Sequence, residues 1–306
     1  MKKKTVRQVI FPLLTAMIWG SAFIAQSVGA GYLDAFAFNA ARAVVGAAAL
    51  LIVSVLKRKF TAAKEPIPWR TLLCGGLCCG VFLTLGSFLQ QFGLTAHTFG
   101  TVSVAATSAG KAGFITALYV VLVPLLGLLF RKRVSPLLWV SVALAVGGLY
   151  FLCMTGEEAF TFSGGDLFVF LCAFAFAGQI LCVDHFVQKV DGVMLSCAQF
   201  CVMAILCTVG TLCFETVEMT QLTACLPQIL YVGIFSSGVA YTLQILAQKD
   251  GEATVVSLLI SLESFFAVVF GALLLHEKLR PQEYLGCALM LLAVLLAQLP
   301  EKKSRK

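Results

Sequence analysis

The chain has 306 residues, of which 60% are hydrophobic and 12% charged, with a mean hydropathy of +0.96. A water-soluble globular domain carries about a quarter charged residues, so these totals exclude one. The formal net charge of +7 would suit nucleic acid or anionic lipid, but its distribution between apolar segments speaks for membrane orientation, and no nucleic-acid partner is expected.

Ten apolar segments fall at about 9–29, 35–56, 71–91, 107–130, 137–154, 166–184, 193–214, 228–247, 253–275 and 284–299. Crossing a hydrocarbon core takes about 20 residues of helix, and none of the segments alternates strictly as barrel strands do. The expected fold class is therefore an all-α integral membrane protein of ten transmembrane helices. The opening MKKKTVRQ precedes an uncharged run over 9–33. That run is longer than the roughly 7–15 residues of a secretory signal core, so it is kept as a mature span.

The spans differ in what they carry. Span one offers Thr15, Trp19 and Gln26, and span two holds Arg42 about two turns in. In span three, Gly76, Gly80, Thr84, Ser87 and Gln91 follow one helical face, next to Gln90; polar faces of this kind indicate where water could go. An insertion of nine residues near 95–103 precedes span four, which contains Lys111, Tyr119 and a Pro124 expected to kink it. Gln179 lies in span six, and Ser237, Tyr241, Gln244 and Gln248 share a face of span eight. Span nine holds Glu263 beside a stripe of Ser257, Ser261 and Ser264, while spans five and ten have almost nothing polar in their middles. Five and ten are thus expected at the periphery, with one, three, four, six, eight and nine around a central cavity.

Eighteen of the 22 Lys and Arg residues fall on one side of this topology if the N-terminus is cytoplasmic; only Lys278 and Arg280 fall opposite. That is the positive-inside pattern, and it places both termini in the cytoplasm. The second half also repeats the first. At a shift of 157 Asp34 falls on Asp191 and Arg42 on Gln199; at 154 Gln90 falls on Gln244; at 145 Pro136 falls on Pro281. The repeats divide as 1–154 and 155–306. Five spans per repeat is odd, so the two halves have opposite orientations, an arrangement that puts the substrate near the midplane between them.

Several stretches carry a likeness: IWGSAFIAQ (18–26), FAFNAARAVVGAAALL (36–51), SAGKAGFITALYVVLVPLLG (108–127), and HEKLRPQEYLGCALMLLAV (276–294) with its degenerate partner RKRVSPLLWVSVALAVGG (131–148). Jointly they resemble the EamA-type ten-helix members of the drug/metabolite transporter superfamily. The resemblance implies alternating access by two inverted five-helix halves around a central cavity. One departure is that the acidic residue usual ahead of the proline is Glu277 in the second half but Lys132 in the first.

Charges inside spans are costly in lipid and mark a bundle interior or a watery path. Lys111 binds an anionic group of a substrate, pairs with a carboxylate that releases it during transport, or snorkels to the outer boundary. Glu263 lies too deep to snorkel, and either couples transport to protons or is a permanent structural partner. Arg42 clamps a carboxylate or phosphate in its forked geometry, packs against the outer headgroups, or ties span two to a neighbour. Trp19, Tyr119 and Tyr241 wall a cavity or simply pack; Gln90, Gln179 and Gln244 bind substrate or hold helices together. The expected function is a secondary transporter of a small polar metabolite, an amino acid or related zwitterion, in the export direction across a bacterial cell membrane. Proton-coupled efflux of hydrophobic cations is the rival, and a non-transporting scaffold or sensor comes third. There is no GxxxxGK[ST] loop for nucleotide drive and no nucleophile–base or metal-ligand constellation, so neither an enzyme nor a cofactor is expected; proton coupling and a homodimer stay open. The twelve cysteines lack a CxxC pair and mostly sit in apolar stretches, as small filler at helix contacts.

Overall fold

With no water in a bilayer core to satisfy free backbone groups, apolar segments of this length must close their hydrogen bonds internally, and each of the ten is helical. The computed structural model describes residues 6–60, 66–99, 102–107, 109–130, 134–154, 163–274 and 280–299. In chain order the helices are α1 (Val6–Gly29), α2 (Ala35–Phe60), α3 (Trp69–Gly93), α4 (Ala109–Ala117), α5 (Tyr119–Leu129), α6 (Pro136–Cys153), α7 (Gly164–Phe186), α8 (Gly192–Phe214), α9 (Met219–Ala224) and α10 (Leu226–Tyr231). A π-helical segment, Val232–Ala240, leads into α11 (Tyr241–Asp250), followed by α12 (Ala253–Ile260), α13 (Glu263–Leu274) and α14 (Pro281–Ala297). Among the described residues nine helical stretches are long and apolar enough to cross a membrane, and α14 is a shorter apolar helix. The insertion after span three is a small antiparallel hairpin, β1 (His97–Phe99) on β2 (Val102–Val104), with Thr98 opposite Ser103. Lys2, Lys3, Lys4, Lys64, Arg131, Lys132, Arg133, His276, Glu277, Lys278 and the basic C-terminal residues lie outside the described residues.

Two spans differ from expectation in the same way. In span four the interruption comes ahead of Pro124. The span is α4 and α5, meeting at Leu118, whose N–H reaches back only three residues to Ile115 O. Span nine is α12 and α13, meeting at Ser261 and Leu262, where Leu262 N–H donates to Leu259 O three residues back. Such tightened 3₁₀-type turns inside a helix re-aim the chain without a proline. Under the repeat shift of 145 the two junctions nearly coincide, so each half has its own broken helix. Pro124 itself sits within continuous α5.

Two pairs of equivalent helices, α2 with α8 and α6 with α14, pack on each other running in opposite directions. At one end of the α2/α8 pair, Phe36 N and Ala37 N donate to the two carboxylate oxygens of Glu215 at 2.8 and 2.7 Å, just past the C-terminus of α8. At the other end, Lys57 near the C-terminus of α2 meets Asp191, the N-cap of α8, at 2.5 Å. The α6/α14 pair is antiparallel too: a Cβ on Gly148 would meet Met290, and one on Gly286 would meet Leu152, each well inside contact distance. Two antiparallel pairs of equivalent helices require a two-fold axis lying across the helices, hence in the membrane plane, as inverted repeats demand.

Burial works against charge on Asp191. The Lys57 ammonium and the N–H groups of Met194 and Val193 more than offset it, and the carboxyl is held below the usual carboxylate range. A lowered folded-state value stabilises the fold above the unfolded pKa and loses that contribution as pH falls through the folded one. Lys57 and Asp191 keep 48% and 36% of their side-chain surface exposed, so the effect is small, under about 1 kcal/mol. Asp191→Asn should therefore be slightly less stable than wild type at neutral pH, and the difference should vanish in acid, as followed by thermal unfolding in detergent across pH.

Candidate functional site

A cavity of about 370 Å³ sits among α1, α2, α3, α4, α5, α6, α7, the π segment, α11, α12 and α13. Its lining comes from the second half of α1 (Trp19 to Gln26), the first turns of α2 (Arg42), the end of α3 (Gln90) and the end of α6 (Leu152, Cys153). It therefore occupies the half of the molecule in which α1 ends and α2 begins. The other half is filled by a core that includes Ala16, Val120, Val123, Ala253 and Val256. Helix α14 stays out of the lining, as expected, whereas α2 and the end of α6 enter it.

Seven of the eight residues singled out in the sequence face this cavity: Trp19, Arg42, Gln90, Gln179, Tyr241, Gln244 and Glu263. Glu263 and Tyr119 each open the second segment of a broken helix, and the Tyr119 hydroxyl donates to Glu263 Oε1 at 3.3 Å. The two breaks thus bring one residue from each half together at mid-depth. Arg42 is 4% exposed. Its Nε donates to Asn39 Oδ1 at 2.8 Å, and Asn39 in turn donates to Ala35 O and Ser87 O. Among the described residues no carboxylate lies within 4 Å of Arg42, and no cationic nitrogen lies within 4 Å of Glu263.

Trp19 and Tyr241 stack obliquely with ring centroids 4.7 Å apart, and Phe200 meets Tyr241 edge-on at 5.3 Å. The Trp19 indole Nε1–H is buried with no acceptor among the described residues. Gln90 Nε2 donates to Thr116 Oγ1 at 3.1 Å. Gln179 and Gln244 belong to a chain of amides. Gln179 Nε2 donates to Gln199 Oε1 at 3.1 Å, Gln244 Nε2 donates to Gln179 Oε1 and Gln248 Oε1 at 3.2 Å each, and Gln248 Nε2 donates to Ile180 O at 2.8 Å. Gln199 Nε2 and Gln244 Oε1 are buried without partners among the described residues.

Lys111 is not in the lining. It is 8% exposed, and its Nζ is 2.6 Å from Asp166 Oδ2. Asp166 also accepts from Ser163 N at 2.8 Å and from the Thr107 hydroxyl. This cluster joins α4 of the first half to the start of α7 in the second. Asp166 was legible as the last residue of Ser163-Gly-Gly-Asp166, the capping-box spacing ahead of an apolar run. The polar face of α3 also has another use. A Cβ on Gly76 would meet Ala198 at 2.6 Å and one on Gly80 would meet Val202 at 2.6 Å, so that face packs on α8, and α3 reaches the cavity through Gln90.

The EamA-like transporter family model matches residues 7–154 and again 163–299. An uncharacterized transporter of Archaeoglobus fulgidus is 32% identical over 287 residues, covering 94% of this chain and 84% of that protein. Uncharacterized transporter YwfM of Bacillus subtilis is 24% identical, over 97% of this chain and 95% of its own. A protein of known crystal structure, 18% identical, superposes with a TM-score of 0.76 over 95% of this chain and 96% of the other, and shares the fold. Two matches to one family model, one in each five-helix half, account for nearly the whole sequence: the chain is a multi-pass membrane transporter belonging to the EamA-like transporter family.

Proposed function

We propose that the protein is a secondary transporter of a small zwitterion, an α-amino acid or a close relative, and that the central cavity binds it. One observation carries the reading. A guanidinium from the first half and a carboxylic acid from the second face the same cavity, neither with an opposite charge within 4 Å among the described residues. Charges held in a bilayer interior need partners or water, and a solute bearing both signs supplies a partner to each. Arg42 takes the carboxylate end and Glu263 the ammonium end; Gln90, Gln179 and Gln244 add neutral hydrogen bonds. Trp19, Phe23, Phe176 and Tyr241 offer apolar surface to a side chain. The cavity volume lies in the range of small-molecule sites, about 300–1,000 Å³.

Lys111, bonded to Asp166, is assigned a role in joining the two halves. The repeat units run over 1–154 and 155–306. Lys57, Arg58, Lys59, Lys189 and Lys249 lie at the end away from the cavity, which supports a cytoplasmic placement of that end and of both termini. The cavity then faces outward, as it must at one stage of export.

The rival is proton-coupled efflux of hydrophobic cations through Glu263, which the aromatic wall favours; a buried guanidinium in the same cavity opposes it, because like charge discriminates against a cation. Counterflow in proteoliposomes with a panel of apolar and polar α-amino acids, their decarboxylated amines and their deaminated acids tests the choice. Amino acids should exchange while both one-charged series fail. Exchange of the amines alone would establish the rival, and no movement of any solute would point to a scaffold or sensor.

A further inference from the structure

A second cavity, of about 450 Å³, lies at the opposite end of the molecule from the mouth region of the first. Its lining includes Val123 and Gly127 of α5, Leu181 and Asp184 of α7, and the turn from Lys249 to Thr254 that joins α11 to α12. Lys249, Asp250 and Glu252 are exposed, so this vestibule reaches the surface. The same four helices line the central cavity, through Tyr119, Ile180, Gln244 and Ile260.

The helical spacing shows how the two spaces are related. Tyr119 and Val123 are four residues apart, as are Ile180 and Asp184, while Ala253 and Ile260 are seven apart; all are steps along one face of a helix. At a rise of 1.5 Å per residue these steps amount to about 6–10 Å. The two cavities are therefore stacked along one seam, with a septum only one or two helical turns thick between them.

Between the residues lining one cavity and those lining the other lie fully buried Val120 on α5, Gln248 on α11 and Val256 on α12. Gln248 ties α11 to the backbone of α7 at Ile180 O, Gln244 ties it to Gln179, and nearer the surface Gln188 Nε2 donates to Lys249 O at 3.0 Å. Helix seams in membrane proteins are closed by small residues and by polar side chains that hydrogen-bond across helices. This one is closed by hydrogen bonds between neutral amides, two of whose atoms, Gln199 Nε2 and Gln244 Oε1, have no partner among the described residues.

We propose that the solute path continues through this seam: α7 and α11 part, Gln179, Gln244 and Gln248 exchange their mutual hydrogen bonds for the solute's, and the solute passes between the central cavity and the Asp184/Asp250 vestibule. The amides are thus both the closed gate of the present state and the lining of the opposite one. Being neutral donors and acceptors, they suit a hydrogen-bonding solute of zero net charge. This deepens the zwitterion reading and rests on it for the identity of the cargo.

Thiol labelling tests the path independently of the cargo. Leu181→Cys, Gln26→Cys and Ile180→Cys are reacted with a membrane-impermeant methanethiosulfonate in vesicles of both orientations, and the modified peptide is read by mass against the native cysteines. Leu181→Cys should label from the face carrying Asp250, and Gln26→Cys from the other. Adding Gln248→Ala, which removes the tie to Ile180 O, should raise labelling of Ile180→Cys from the Asp250 face about tenfold. Gln188→Ala, at the exposed end of the seam, should raise it by a smaller factor and guards against misfolding of the first variant. Labelling of Leu181→Cys and Gln26→Cys from one and the same face, or an Ile180→Cys rate that neither substitution moves, would overturn the path. Amino-acid counterflow in the same vesicles separates the two ideas: its absence with the labelling pattern intact removes the cargo assignment and leaves the path standing.

Discussion

Asp166→Ala is expected to lower stability by about 3 kcal/mol, the low end of what removing one member of a buried ion pair costs. Three interactions go at once. The Lys111 ammonium loses its carboxylate at 2.6 Å, Ser163 N loses its acceptor at 2.8 Å at the start of α7, and the Thr107 hydroxyl loses its partner. Lys111 is buried, and a desolvated ammonium that has lost a carboxylate is worse off than no ammonium at all. Lys111→Met combined with Asp166→Leu should consequently be more stable than Asp166→Ala, because the double variant leaves no charge behind. Thermal unfolding in detergent, followed by reaction of the newly exposed native cysteines with a thiol dye, ranks the two. Equal losses in both variants would mean that the cap on α7 and the tie to Thr107 matter more than the charge.

The cluster also shows where reading the sequence stops. Lys111 was identified as a charge that lipid would not tolerate, and that is how the structure treats it. Its partner comes from the other half of the chain, and no spacing along one helix can reveal a contact made across two. The helices themselves were plain because a bilayer leaves the backbone no other choice, and the inverted arrangement followed from the internal repeat and its odd number of spans. The breaks at Leu118 and at Ser261–Leu262 were not legible, since neither contains proline or glycine; the one visible signal, Pro124, lies within an unbroken helix. A proline removes the bond to the carbonyl four residues back and crowds that carbonyl, here Val120 O, yet α5 continues past that defect. The polar stripe of α3 was ambiguous in principle. Small residues at helical spacing serve water and close packing equally well, and only the approach of Ala198 and Val202 to Gly76 and Gly80 decides for packing.

Most of the residues chosen for chemistry at mid-depth face the one cavity. Arg42 and its repeat counterpart Gln199 illustrate why. The repeat supplies two equivalent positions, and the chain has kept a charge at one and an amide at the other. Gln199 accepts from Gln179 within the amide chain, while Arg42 faces the cavity. The pseudo-symmetric frame is thus used asymmetrically: the first half brings the cation and the second, through Glu263, the acid.

That asymmetry leads to the largest functional effect expected. Arg42→Gln and Glu263→Gln should each reduce amino-acid counterflow about 100-fold, which corresponds to about 2.7 kcal/mol and falls within the range for truncating one member of a buried charge pair. The two losses should not add, because each substitution strands the same bound solute with one end unpaired, and neighbouring sites that share a partner couple. The matched analogues sharpen the test. An amine lacking the carboxylate is repelled by Arg42, so Arg42→Gln should raise its exchange while lowering that of the parent amino acid. A carboxylic acid lacking the ammonium should gain from Glu263→Gln in the same way, since an ionised Glu263 opposes it. Crossed gains of this kind cannot come from a general loss of packing around the cavity, which would lower every solute together. If both variants weaken amino-acid exchange and neither analogue series gains, Arg42 and Glu263 hold helices in place and the cargo is recognised elsewhere.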